Sequence, residues 1–159
     1  KKIQRKKFIK KIVGTDTFEH NYKKGKLEYL SKKKFLKRNL KFDVVIIVDV
    51  LHHIGIEKSW KVLNELSNIT DFIIIKDHFE HGFFSRHLLR FVDFYANYAY
   101  DVNIPNKYFK NNSWKKNLKK INLIEKSHIY PFQQHDGVFN IILNKKHHFI
   151  SLLKKNVKK

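Results

Sequence analysis

Three apolar runs in this 159-residue chain end abruptly in polar groups, and those endings hold most of the side chains able to do chemistry. Residues 42–53 read Phe-Asp-Val-Val-Ile-Ile-Val-Asp-Val-Leu-His-His, so Asp49, His52 and His53 follow a β-branched stretch directly. Residues 71–78, Asp-Phe-Ile-Ile-Ile-Lys-Asp-His, repeat the pattern with Lys76, Asp77 and His78. The third run is shorter and stops at Gly14-Thr15-Asp16. A histidine titrates near neutrality and can take a proton from a hydroxyl or amine, and a neighbouring carboxylate holds it in one tautomer. His53, Asp77 and His78 are therefore the candidate catalytic groups. Lys76 is a candidate on the substrate side, with pairing to a charge on a neighbouring helix as the plainer reading. His52 and His53 are adjacent, and adjacent side chains point apart in helix or strand, so no metal site is expected from them.

These groups need elements to carry them. Unbroken Val/Ile runs are typical of parallel strands covered on both faces, and open α/β sheets place ligands beyond the carboxyl ends of such strands. Residues 42–50 and 71–78 are expected to be neighbouring parallel strands that deliver their polar ends to one sheet edge. Residues 11–16 and 26–30 are weaker strands, and residues 2–10 end a basic amphipathic helix. Ser59 is placed as the cap of a helix to Ile69, with Trp60, Leu63 and Leu66 on its buried stripe. A long aromatic helix spans 82–100, stopped by Asn103 and Pro105. On it Asp93 and Asn97 stand at i and i+4, one face of the helix, and are candidate substrate contacts or a structural pair. Asn112 or Ser113 caps a helix carrying Trp114 and Leu118. Segments 123–130, 138–143 and 148–153 are closing strands, with 148–153 last. The order is that of a single α/β domain over residues 1–159.

Composition excludes several classes. At 42% hydrophobic and 14% aromatic the chain can bury a core. No apolar run reaches the roughly 20 residues of a membrane span, and a cytoplasmic protein is expected. There is no cysteine, hence no disulfide, thiolate nucleophile or Cys-bound metal. The formal charge of +20 points toward nucleic acid, but only Arg5, Arg38, Arg86 and Arg90 offer the guanidinium fork that suits phosphates and base edges. The lysines are dispersed, and nucleic acid is not the expected partner.

The stretch 42–53 resembles the FDvVi-x-x-DvLHH motif of class I S-adenosylmethionine-dependent methyltransferases. The order of Ile75-Lys76-Asp77-His78, Asp93 with Asn97, Pro105 with Tyr108, and Tyr130-Pro131 is similar to a subgroup acting on small molecules. The resemblance spans nearly the whole chain. It implies a Rossmann-like, mostly parallel sheet with an antiparallel last strand, S-adenosylmethionine as cofactor, and a small-molecule methyl acceptor. Asp16, with Thr17, takes the place of the acid that binds the cofactor's ribose; a carboxylate can accept from two hydroxyls at once. Asp49, Val50 and Leu51 take the place of the loop under the methionine end. The family's first strand and its glycine-rich turn have no counterpart, because Gly14, Gly25, Gly55, Gly82 and Gly137 are isolated. The chain also lacks an initial Met, and is expected to be truncated before strand two, which would leave Ile46 and Val48 less covered than their sequence implies. The alternative function is a non-enzymatic basic module that keeps the fold and binds nucleic acid or protein.

Overall fold

The computed structural model describes residues 8–16, 22–31, 34–35, 40–100, 102–134 and 145–156, without the side chains of Asp16 and Tyr22. The chain divides into two compact units, Lys1–Leu40 and Lys41–Lys159. In the first, β1 (Ile12–Asp16) runs parallel to β3 (Leu27–Ser31), with Asp16 opposite Ser31. A strand not anticipated, β2 (Tyr22–Lys24), forms a hairpin with β3. Gly25 makes its turn at φ 59°, a backbone region glycine enters without strain. Gly14 has a packing role, since a Cβ there would come within 2.8 Å of the Tyr29 ring. The expected helix at 2–10 and the strand at 138–143 lie wholly or mostly outside the described residues, as does Thr17.

The second unit holds a four-stranded sheet in the order β4-β5-β7-β6. Here β4 is Phe42–Val48, β5 Thr70–His78, β6 Leu123–Ile129 and β7 His148–Lys155. As expected, β4 and β5 are parallel neighbours, and β7 is antiparallel to β5. This is the mostly parallel arrangement expected, because β6 also pairs antiparallel with β7 and so runs in the direction of β4 and β5, leaving the last strand as the reversed one of the four. Between the strands lie α1 (Leu51–Ile54), α2 (Ile56–Leu66), α3 (Phe83–Asn97) and α4 (Asn111–Lys120).

The core follows from strand parity. Ile47, Ile73, Ile75 and Leu153 share one face and pack with Leu63 of α2 and Trp114 and Leu118 of α4. Phe79 stacks on Phe149 at 3.9 Å between ring centres, and Trp114 lies edge-on to Phe149. The other face is open at β4, where Ile46 is 56% and Val48 53% exposed. This is the reduced cover expected of Ile46 and Val48, beside which the family's first strand has no counterpart among the described residues. Ser59 is not a cap. It sits inside α2, whose N-cap is Gly55, and its hydroxyl donates to the carbonyls of Leu51 (2.6 Å) and Gly55 (2.8 Å). This back-bonding of a serine within a helix ties α1 to α2.

Beyond β5, Glu80 fastens the chain that leads toward α4. Its carboxylate is buried and accepts two bonds from the Arg86 guanidinium, at 2.8 and 2.6 Å, and one from the Tyr108 backbone N–H at 3.1 Å. Burial alone would raise its pKa; Arg86, the Tyr108 amide and Lys110 together hold it below the ordinary glutamate value. A depressed carboxylate contributes stability above its unfolded pKa and loses it as pH falls through the folded value. Glu80→Gln should therefore cost about 1–3 kcal/mol at pH 7, and the gap to the parent should close below about pH 4. Thermal melts of both proteins from pH 7 to pH 3 measure this, and an undiminished gap at acid pH refutes the assignment.

Candidate active site

Parallel pairing in register brings Val48 opposite Lys76, so the residues after β4 and those ending β5 meet at the carboxyl edge of the sheet. Asp49 turns the chain there with φ 51°, an uncommon conformation that Asp tolerates better than most residues. Two bonds hold it. Its N–H donates to the Lys76 carbonyl at 2.9 Å, and the Lys76 ammonium donates to both carboxylate oxygens at 2.6 Å. Lys76 is buried, while the Asp49 side chain remains 32% exposed, so the pair is shielded from water on the lysine side only. The turn then launches α1 and places Leu51, His52 and His53 over the end of β5.

Asp77 is the hub of the site. It is fully buried, and Oδ1 accepts from His52 Nδ1 at 2.6 Å and from the His78 backbone N–H at 2.7 Å. Its other oxygen accepts from the Leu51 N–H at 3.2 Å. Burial would favour the neutral acid, but the charge and hydrogen bond of His52, reinforced by His78, keep it well below the carboxylate range. The converse holds for His52. Burial opposes its protonation, yet the charge and bond of Asp77, with Asp93 and Asp49 further off, raise its pKa.

The far side of His52 faces Asp93 on α3, with Nε2 at 3.6 Å from Oδ2. Asp93 is itself fixed by the Tyr108 hydroxyl, which donates to Oδ2. Desolvation and the Asp93 carboxylate push the Tyr108 phenol pKa strongly upward, so that oxygen keeps its proton. His53 is half-buried, and its Nδ1 lies 3.0 Å from the Asn103 carbonyl, while the Asn103 amide donates back to the His53 carbonyl. Burial and then the charge of His52 lower its pKa. The rings of His52 and His53 are 4.0 Å apart between centres. Adjacent side chains were expected to diverge; the single turn of α1 brings these together. His78 stands 4.9 Å from His52 and 4.7 Å from His148, ring centre to ring centre, with Nδ1 at 3.5 Å from Asp49 Oδ1.

Thus Asp49, Leu51, His53, Lys76, Asp77, His78 and Asp93 are gathered at one edge. Asn97 is not paired through its carboxamide with the Asp93 carboxylate; it donates to the Asp93 backbone carbonyl at 2.8 Å. Val50 is exposed beside Leu51. Asp16 ends β1 in the other unit. His52, whose bond to Asp77 organises the cluster, was not among the residues proposed from sequence. The cue was its place before His53, but nothing in a His-His pair tells which ring turns inward.

No family model matches the chain, and no curated protein matches it. Solved structures do. LepI in complex with S-adenosylmethionine superposes with a TM-score of 0.59 at 10% identity, over 91% of this chain and 36% of LepI. Magnesium protoporphyrin IX methyltransferase from Synechocystis PCC 6803, with bound S-adenosylhomocysteine, gives 0.51 at 14% identity over 82% of this chain and 52% of its own. A SAM-dependent methyltransferase from Methanosarcina mazei gives 0.59 at 11% identity, over 92% and 82%. The chain spans about a third and a half of the first two proteins' lengths. It has the mixed α/β, Rossmann-like fold of these structures.

Proposed function

We propose that the whole protein transfers a methyl group from S-adenosylmethionine to a small-molecule acceptor. The observation that carries this reading is the buried, ionised Asp77 at the end of β5, bonded to His52 and to the backbone of Leu51 and His78. It locks the loop after β4 and the end of β5 into one arrangement before any ligand arrives, which is what orientation-driven catalysis needs.

The residues fit the cofactor's amino-acid end. Asp49 and Lys76 present a carboxylate and an ammonium side by side, the charge complement of a methionine zwitterion. Val50 and Leu51 continue that loop, and Asp16 with Thr17 would take the ribose hydroxyls. When bound, the cofactor supplies a methyl on a positively charged sulfur, which an acceptor takes in line, leaving a neutral thioether. Asp77, His78 and Asp93 lie on the acceptor side. His78 receives the proton the acceptor gives up, its imidazole held near Asp49 and Asp77 at 3.5 and 3.7 Å from Nδ1. Lys76 and Asn97 contribute by fixing Asp49 and the helix that bears Asp93.

Two variants separate the cofactor side from the acceptor side. Made in the whole protein, Asp16→Ala removes the acceptor of two ribose hydroxyls and should weaken S-adenosylhomocysteine binding roughly 30- to 150-fold, the equivalent of about 2–3 kcal/mol. Asp77→Asn should lower turnover while leaving that affinity within a few-fold. Calorimetric titration of S-adenosylhomocysteine against both needs no knowledge of the acceptor. If Asp16→Ala binds like the parent, the methyltransferase reading loses its main residue-level support. Because these 159 residues contain no glycine-rich turn, the chain alone should bind the cofactor weakly; submicromolar affinity in the same titration would contradict that part.

A further inference from the structure

We infer that His52, His53 and Asp93 form a binding site for one divalent transition-metal ion, with Zn2+ as the natural match for two imidazoles and a carboxylate. Nothing in the methyl-transfer reading requires such a site. One ligand atom from each of the three residues lies within 4.8 Å of the others, and His52 Nε2 to Asp93 Oδ2 is 3.6 Å. Two donors bound at about 2.1 Å to one ion stand at most about 4.2 Å apart, so small side-chain rotations close the set.

The outer bonds support this more strongly than the spacing does. Metal-binding histidines commonly donate one ring N–H to a carboxylate or carbonyl, which leaves the other nitrogen's lone pair for the ion. Both histidines do so here. His52 Nδ1 bonds the Asp77 carboxylate and His53 Nδ1 the Asn103 carbonyl, each an acceptor. In each ring Nε2 is then the free nitrogen. His52 Nε2 is buried and has no hydrogen-bond partner, and an orphaned polar atom in such a place calls for an explanation. Asp93 is oriented by the Tyr108 hydroxyl.

The competing trio of His52, Asp77 and His78 also clusters. Its carboxylate, however, is already occupied by three donors. A two-histidine, one-carboxylate set leaves positions open on the ion. An acceptor hydroxyl bound there would be acidified, and its proton would pass to His78 while its oxygen stays on the ion. Only this last step rests on the proposed function.

Zn2+ titrated calorimetrically into the purified chain, with Co2+ absorption as a second probe, tests the site without cofactor or acceptor. One ion per chain is expected. Asp93→Asn and His53→Ala should each weaken binding at least 10-fold, and Asp77→Asn, a positioning residue, roughly 10- to 100-fold. His78→Ala should change it less than a few-fold. Circular dichroism and melting of each variant show whether it is folded, and Asp93→Asn, being isosteric, keeps the test usable if a histidine variant is not. No saturable binding near one equivalent, or equal binding by folded Asp93→Asn and the parent, overturns the inference. A whole protein that binds S-adenosylhomocysteine but takes up no Zn2+ would remove this site and leave the proposed function standing; one that takes up Zn2+ but not S-adenosylhomocysteine would do the opposite.

Discussion

Asp77 is the group on which the rest of this edge depends. Taking a carboxylate out of water costs several kcal/mol even after relaxation, and here the ion is kept because three donors converge on it. The donors come from two pieces of backbone: Leu51 at the start of α1 and His52 within it, and His78 next along β5. The bonds that make the buried charge tolerable therefore also determine where α1 sits. An apolar residue at 77 would relieve the desolvation and lose the geometry with it.

The second constraint is register. Val48 faces Lys76 across the parallel pair, and a shift by one residue would turn Lys76 to the opposite face. In this register the ammonium reaches both oxygens of Asp49, and the left-handed turn at Asp49 is held from two sides. Hydrophobic parity and ionic pairing agree: Ile47, Ile73 and Ile75 go into the core only when Lys76 lies with the residues of the open face. The apolar core and the polar edge are products of one alignment.

Much of this was legible in the sequence, and the reasons are local. Continuous β-branched runs ending in charge announce β4 and β5, and their parallel pairing follows from the intervening helix. The stripe of Trp60 and Leu63 announces α2. Its start was misplaced because Ser59 is as good a hydrogen-bond donor inside a helix as it is an acceptor at the cap, and only the tertiary position of the Leu51 carbonyl decides between the two. The hairpin strand β2 carries too few apolar residues to register as a strand; it exists because β3 offers an edge. The uncovered face of β4 was legible by a different route, since a Val/Ile run states only what the strand can bury, and the missing counterpart of the family's first strand showed what would not be there to cover Ile46 and Val48.

The site itself was legible as a list and not as a network. Asp49, Lys76, Asp77, His78 and Asp93 could be named because strand ends and helix faces collect polar groups predictably. Which groups touch depends on rotations that spacing leaves free. His52 and His53 are chemically identical neighbours, yet one is enclosed between two carboxylates and the other bonds a loop carbonyl. The difference arises in α1, a helix of a single turn with no side-chain cap, whose orientation is set by the Leu51 amide on Asp77 and the Ser59 hydroxyl on the Leu51 carbonyl. The inward choice of His52 is thus made by residues 8 and 26 positions beyond Leu51 along the chain. Sequence patterning reports such long-range choices only through the company a residue keeps, and a histidine pair keeps the same company twice.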